Sequence, residues 1–327
     1  MYKYLIICID GTWNDKSVSK NSMPTNVATI SELFEHNPSK QEQIVEYISG
    51  VGTGGWWDNK VAGIYGNGIT ERISKGYRFL CENYEPGDRI ALFGFSRGAF
   101  AVRALIGMLT VIGVLEEDKL HLIDAAIARY RNPFRSRTND FPAYPVNIHF
   151  VGLWDTVVRF GPLLTPIRLF MKSIFKRPFG LHDNYVPHTV RYAYHALALD
   201  ETRHAFLPTR LIDLGVIGAE EVWFSGAHAD VGGGYTNSRA ASIPLTWMVE
   251  KAMQSGLVFT HVPDSVEVLT HEDIHDPRDN LKWKLLPMGR RSFKQGDVVH
   301  KSVMDLLLTG TYTPKAKGVI TRRSNKE

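Results

Sequence analysis

Residues 90–105 read IALFGFSRGAFAVRAL and carry the strongest fold signal in the chain. An apolar run leads into Ser96, and an alanine-rich run follows it. Gly94 and Gly98 complete the pattern G-x-S-x-G, in which strand and helix pass too close together for side chains at the glycine positions. This strand–turn–helix setting predicts that Ser96 is the nucleophile of a serine hydrolase.

Outward from this turn, strand-like and helix-like runs alternate along the chain. The strand-like runs are residues 4–9, 43–48, 90–95, 146–153 and 221–225, and the helix-like runs are 26–34, 69–83, 99–109, 118–130, 190–199 and 243–255. Such alternation predicts an α/β fold of the α/β-hydrolase type, with a mostly parallel central sheet and helices on both faces.

The composition is typical of a globular protein. The chain has 327 residues, 44% of them hydrophobic and 22% charged, with a net charge of +4. This charge is too small to indicate a nucleic-acid partner. We expect one catalytic domain over residues 1–314, with a helical insertion after Asp155 at 161–189, and a basic flexible tail over 315–327. Composition says nothing about oligomeric state.

The N-terminal run is short and is followed at once by Asp10, so it predicts a buried strand rather than a signal peptide. No uncharged stretch is long enough to cross a bilayer. We therefore expect synthesis in the cytoplasm, with any export depending on a dedicated secretion system. Cys8 and Cys81 both lie in apolar stretches and are expected to be buried free thiols.

Several predicted strands end in polar residues, and ligands of open parallel sheets bind beyond the carboxyl ends of the strands. A nucleophilic serine needs a base and an orienting acid, in the chain order Ser, acid, His. His228 follows a strand and is the preferred base; His195 and His204 are its rivals. Asp155 also ends a strand and is the preferred acid. The alternative acids are Asp200 and Asp230.

An oxyanion hole would use backbone N–H groups near the serine. The N–H of Arg97, the residue after the nucleophile, is the first candidate. Gly11 and Thr12, just past the first strand, are candidates for the second. Asp10 is expected to brace this loop or to help hold a cation.

Residues 167–176 show helical apolar spacing with a second, basic face. We interpret them as a lid or a peripheral membrane contact, and the alternative is a helix packed on the core with solvated charges. The residues concerned are Ile167, Arg168, Phe170, Met171, Lys172, Ile174, Phe175 and Lys176.

The sequence requires no cofactor for this chemistry. Asp10, Asp15 and Asp230 could offer oxygen atoms to a cation, but no complete coordination motif is present. Residues 8–12 suggest a phosphatase of the D-x-D-G-T type, yet Cys8 stands where the nucleophilic aspartate would be.

Beyond these individual signals, the chain resembles the bacterial and fungal α/β-hydrolase domain family that includes one class of type VI secretion phospholipase effectors. The matching stretches are DGTWN (10–14), GVGT (50–53), GFSRGA (94–99), GLWDTV (152–157), HALALDE (195–201), FLP (206–208), GAHADVGGGY (226–235) and, more weakly, SV (302–303). The resemblance implies a triad at Ser96, Asp155 and His228 and hydrolysis of phospholipid acyl esters.

The expected function is therefore cleavage of acyl esters through an acyl-serine intermediate, as a phospholipase or lipase acting in lipid degradation. One alternative is a soluble carboxylesterase acting on small acyl esters. The other is a non-catalytic binding protein that has kept a hydrolase fold.

Overall fold

The fold is taken from a computed structural model of the chain. The residues it describes are 2–11, 23–37, 39, 41–50, 61–131, 141–157, 185–213, 218–266, 268–279, 284–285 and 287–318.

A parallel sheet of seven strands forms the centre of the described residues. Its strands are β1 (Tyr4–Ile9), β2 (Gln43–Ile48), β3 (Arg89–Phe95), β6 (Ile148–Trp154), β8 (Val190–Ala198), β10 (Gly218–Phe224) and β11 (Val298–Val299). They lie in the order β11-β10-β8-β6-β3-β1-β2. Two small pairs lie outside it: β4 (Val114–Leu115) with β5 (Ala143–Tyr144), and β7 (Tyr185–Val186) with β9 (Ile212–Asp213). The central strands β1, β3 and β6 are wholly or almost wholly buried.

Helices cover both faces of the sheet. They are α1 (Asn26–Leu33), α2 (Val61–Asn83), α3 (Arg97–Val111), α4 (Ile123–Arg131), α5 (His228–Gly232), α6 (Arg239–Gln254) and α7 (Lys301–Leu308); short 3-10 helices span Glu117–Leu122, His204–Phe206 and His271–Asp273. Because side chains alternate along a strand, β1 contributes Tyr4 and Ile6 to the core under α1, α6 and α7, and Leu5 and Ile7 to the core under α2, α3 and α4. The predicted fold class is confirmed.

One predicted element is wrong. Residues 190–199 were expected to form a helix, but Val190–Ala198 is strand β8, paired with β6 on one side and β10 on the other. Its alanines favour a helix, but this propensity is weak, and hydrogen bonding to a strand on each side outweighs it. His195 therefore lies in the middle of the sheet.

The predicted tail, residues 315–327, lies within the described residues only as far as Gly318. The Lys315 N–H donates to Asp200 Oδ1 at 2.8 Å and the Lys317 N–H donates to the Arg291 carbonyl at 2.8 Å. The rest of the tail lies outside the described residues, and its flexibility stays a prediction. The insertion predicted at 161–189 lies outside the described residues except for 185–189.

Candidate active site

Ser96 occupies a strained turn between β3 and α3. Its backbone has φ 58° and ψ −121°, a region that costs a non-glycine residue about 1–3 kcal/mol. The glycines around it are required by the close approach: a Cβ on Gly98 would lie 2.1 Å from the Ile9 carbonyl oxygen, and one on Gly94 would lie 2.7 Å from Ala99 Cα. The turn therefore raises the serine above the carboxyl end of the sheet, as the motif predicts.

Strand register brings the second residue of the site beside the first. Phe95 of β3 pairs with Trp154 of β6, so Ser96 and Asp155 are the next residues on adjacent strands. Asp155 also has a positive φ of 42°, and its N–H donates to the Ala196 carbonyl of β8 at 2.8 Å.

His228 connects these two residues. Its Nε2 lies 2.8 Å from Ser96 Oγ, and its Nδ1 lies 2.6 Å from Asp155 Oδ2. All three residues are at most 5% exposed. A neutral ring with its proton on Nδ1 satisfies both contacts: it donates to the carboxylate and accepts from the hydroxyl.

His195, the first rival base, has other partners. His195 Nε2 accepts from the Thr156 N–H at 3.1 Å, and its Nδ1 lies 2.8 Å from Glu221 Oε1. His204 lies in a short 3-10 helix, with its Nδ1 buried and without a hydrogen-bond partner in the described part of the chain.

The two alternative acids are likewise engaged elsewhere. Asp200 accepts from the Gly226 N–H and from the Tyr312 hydroxyl, at 2.6 and 2.7 Å. Asp230 accepts from the Ala227 N–H and contacts the ring of His275. Neither carboxylate is the partner of His228 Nδ1.

Arg291 is the site residue that the sequence did not reveal. It is 1% exposed, and its Nη2 lies 2.7 Å from Asp155 Oδ2 while its Nη1 contacts Asp155 Oδ1. The same two nitrogens donate to the carbonyls of Phe206 and Ala198, at 2.6 and 2.8 Å. No motif surrounds Arg291 in the sequence, and nothing distinguishes it there from the neighbouring Arg290.

Electrostatics around the pair follow from burial and this guanidinium. Burial alone raises the pKa of Asp155, but the charge and hydrogen bonds of Arg291, with a further contribution from His228, bring it well below its usual range. Burial lowers the pKa of His228, and the hydrogen bond to Asp155 opposes that effect only in part. His228 is therefore neutral at pH 7, the state that can accept a proton.

Aromatic and acidic groups fix the histidine ring. Phe95 and Phe206 pack against it, with ring centroids 4.6 and 4.9 Å away. Glu201, held by Arg203, accepts from the His228 N–H at 3.3 Å. Packing on two sides leaves the ring little freedom to rotate away from Ser96.

The expected oxyanion donors have different surroundings. Arg97 is the first residue of α3, where a helical N–H has no acceptor within its own helix. The Gly11 N–H donates to Asp10 Oδ1 at 2.6 Å, which engages it away from an oxyanion. Thr12 lies outside the described residues.

Asp10 braces the loop after β1. Its Oδ2 accepts from the Thr25 and Tyr47 hydroxyls, at 2.6 and 2.7 Å. Over the described ranges, no cluster of three or more His, Cys, Asp or Glu side chains could hold a metal ion. Asp15 lies outside those ranges.

The segment interpreted as a lid or membrane contact, residues 167–176, also lies outside the described residues, and that interpretation stays a prediction. In the ranges that are described, no helix is long and apolar enough to cross a membrane. Cys8 and Cys81 are both buried, and neither forms a disulfide.

The sequence also matches a known protein family. The sequence model of the catalytic domain of Tle1-like phospholipase effectors of the type VI secretion system matches residues 3–251. The chain belongs to this Tle1-like family. The matched range contains Ser96, Asp155 and His228 but ends before Arg291.

Individual relatives of this Tle1-like chain are longer than it is. It is 32% identical to the uncharacterized protein YEL023C of Saccharomyces cerevisiae over 237 residues, 62% of this chain and 32% of the yeast protein. The chain thus spans about a third of that relative.

Two solved structures show limited similarity. One is an uncharacterized protein from Pseudomonas aeruginosa, with 16% identity, a TM-score of 0.46, and coverage of 79% of this chain and 46% of that one. The other is the Tle1 effector bound to the VgrG spike of the type VI secretion system, with 22% identity, a TM-score of 0.44, and coverage of 72% and 52%.

Proposed function

We propose that this Tle1-like protein hydrolyses acyl esters of phospholipids, with Ser96 as nucleophile, His228 as base and Asp155 as orienting acid. The observation that supports the proposal is the continuous contact from Ser96 Oγ through the His228 ring to Asp155, made on a strained turn at the carboxyl edge of the sheet. Family membership supports the lipid substrate.

The chemistry begins with attack of Ser96 Oγ on the ester carbonyl carbon, while His228 Nε2 takes the hydroxyl proton. The carbonyl oxygen becomes an oxyanion, which in this proposal accepts a hydrogen bond from the Arg97 N–H at the start of α3. The protonated His228 then gives its proton to the departing alcohol oxygen, and an acyl-serine remains. His228 then takes a proton from water, which attacks the acyl carbon; the bond to Ser96 Oγ breaks, His228 returns the proton to that oxygen, and the fatty acid leaves.

A second oxyanion donor would come from the loop after β1. Thr12 is our candidate, because the Gly11 N–H is bonded to Asp10. Membrane contact through residues 167–176 and export by a type VI system are parts of the same proposal. They rest on the sequence pattern and on the family.

Ser96→Ala tests the nucleophile. The variant should keep its fold and lose at least about a thousandfold in hydrolysis of phospholipid vesicles, since removing a triad nucleophile typically costs several orders of magnitude. Fatty acid and lysolipid release is measured by mass spectrometry, alongside labelling of the protein by a fluorophosphonate probe.

Ser31→Ala is the matched control, a buried serine of α1 whose hydroxyl donates only within its own helix. It should retain both activity and labelling. More than about a tenth of wild-type activity in Ser96→Ala would contradict the assignment. A wild type that hydrolyses short esters but not phospholipids would favour a carboxylesterase. A wild type that shows neither labelling nor turnover would favour a binding protein.

A further inference from the structure

Arg72 of α2 is a buried charge that the proposed chemistry does not use. It is 2% exposed, and none of its three guanidinium nitrogens has a hydrogen-bond partner among the described residues. A buried guanidinium without partners destabilises a fold strongly, and buried polar groups are otherwise almost always satisfied. Because the fold keeps this unpaired guanidinium, we infer that a ligand pairs with it.

The position of Arg72 follows from the packing of α2. The helix connects β2 to the parallel strand β3, so it begins near the carboxyl ends of the strands and runs back along the sheet. A Cβ on Gly76 would lie 3.5 Å from Ile48, the last residue of β2, so this helix face looks onto the sheet. Arg72 lies on the same face about one turn earlier, roughly 5 Å beyond the strand end. That is the edge on which Ser96 stands.

The charges acting on Arg72 agree with this placement. Burial lowers the pKa of Arg72 to about 10, and the strongest charge effects on it come from Arg97, next to the nucleophile, and from Asp10. Among the described residues Asp10 makes no hydrogen bond to Arg72; its oxygens accept from Thr25, Tyr47 and Gly11 instead. Arg72 is therefore cationic at pH 7, and Arg97 adds a second positive charge nearby.

We propose that Arg72 binds the phosphodiester group of a glycerophospholipid whose acyl ester lies at Ser96. The guanidinium fork matches two phosphate oxygens, and the phosphate and the acyl esters of such a lipid are carried by neighbouring glycerol carbons. A neutral lipid ester offers no anion to this position. The inference rests on the proposed function and adds to it the residue that selects phospholipids over neutral esters.

The first experiment measures a selectivity ratio. Wild type and Arg72→Gln hydrolyse phosphatidylcholine and diacylglycerol with the same acyl chains in mixed micelles, and kcat/KM is compared for the two substrates. The ratio should fall roughly 10- to 100-fold in Arg72→Gln, the loss expected for charge-assisted hydrogen bonds. Arg72→Lys, which keeps the charge without the fork, should give an intermediate ratio.

Arg78→Gln is the matched control, since Arg78 lies on the same helix but is half-exposed and pairs with Glu82. It should keep the wild-type ratio. Equal losses on both substrates in Arg72→Gln, or an unchanged ratio, would overturn the inference while leaving the esterase proposal standing. A wild type that hydrolyses neither substrate would instead overturn the proposed function.

A binding measurement tests whether Arg72 binds the phosphodiester group without relying on turnover. Glycerophosphocholine and inorganic phosphate are each added to wild type and to Arg72→Met, and the melting temperature is recorded. Without ligand, Arg72→Met should melt higher, because it removes an unpaired buried charge. Glycerophosphocholine should raise the wild-type melting temperature and leave that of the variant unchanged. A shift with inorganic phosphate alone, or equal shifts in both proteins, would overturn the phosphodiester assignment.

Discussion

Ser96 and Asp155 are the non-glycine residues with positive φ in the described chain, and they stand side by side on adjacent strands. Backbone strain of this kind persists only where surrounding contacts hold it. For Ser96 those contacts are the close packing at Gly94 and Gly98. For Asp155 they are the Ala196 carbonyl and the guanidinium of Arg291.

Replacing Arg291 should alter the pH dependence of hydrolysis. His228 must be neutral to accept the Ser96 proton, and because burial lowers its pKa below 6.5, wild-type activity should persist below pH 6.5 and fall as pH passes through the lowered pKa. In Arg291→Gln, the uncompensated Asp155 charge stabilises protonated His228, so the acidic limb of kcat/KM should move to higher pH.

The same variant should lose roughly 3–5 kcal/mol of unfolding free energy, since one partner of a buried ion pair is removed. Arg290→Gln, an exposed neighbour, should change neither the pH profile nor the stability. Arg291→Lys keeps the charge and should fall between them. An acidic limb at the same pH in wild type and Arg291→Gln would show that Arg291 is only structural.

At the residue scale, the sequence predicts which side chains meet where those residues follow the ends of strands. Ser96, Asp155 and His228 each follow a strand, and a parallel sheet brings such ends to one edge. Arg291 could not be found in this way, because its role depends on how a distant loop packs over Asp155. Local sequence around an arginine carries no information about that packing.

At the scale of elements, the decisive contact is between α3 and β1. The first turn of the helix rests directly on the backbone at the end of the strand, where Gly98 leaves no room for a Cβ against the carbonyl oxygens of Ile9 and Asp10. This contact fixes the distance between α3 and the end of β1, and with it the position of Ser96.

Gly98→Ala should therefore lose roughly 3 kcal/mol or more of unfolding free energy, because a backbone clash cannot be relieved by a rotamer change. Gly76→Ala is its helical counterpart, since its Cβ would meet the flexible end of Leu105 at 3.3 Å. The higher helix propensity of alanine, worth about 1 kcal/mol, should keep that variant within about 1 kcal/mol of wild type. Urea denaturation measures both. Equal stability of the two variants would contradict the role given to Gly98.

Element prediction failed at β8 for a reason that is also physical. A short, mostly apolar run such as 190–198 can be buried as a helix or as an inner strand, and periodicity alone does not separate the two. The position of β8 between β6 and β10 settles the matter, and that position is a property of the whole sheet.

At the scale of the whole molecule, residues beyond the range matched by the family model complete the surroundings of the site. Past residue 251, Arg291 bonds to Asp155, Tyr312 bonds to Asp200, and Val303 and Leu306 of α7 enter the core. The surroundings of Asp155 thus depend on residues that follow the matched region.

A chain ending at Gly256 should therefore fail to fold, whereas one ending at Gly318 should melt like the full chain. The shorter chain loses the Arg291 pair, worth roughly 3–5 kcal/mol when broken, and about 1.5–3 kcal/mol for each large apolar side chain removed from the core. These losses approach the 5–15 kcal/mol stability of a typical domain. Circular dichroism melts and size-exclusion chromatography provide the comparison. A cooperative melt from the shorter chain would refute this dependence.

The order in which the site residues occur along the chain has a consequence for biosynthesis. Ribosomes add about 5–20 residues per second, so Arg291 is incorporated roughly 10–40 s after Ser96. A nascent chain that already contains the serine turn still lacks His228, and then Arg291, which compensates the charge of Asp155. On the proposed function, hydrolysis therefore begins only after Arg291 has been synthesised and has packed against Asp155, so ribosome-bound chains short of that point carry no active lipase beside cellular membranes.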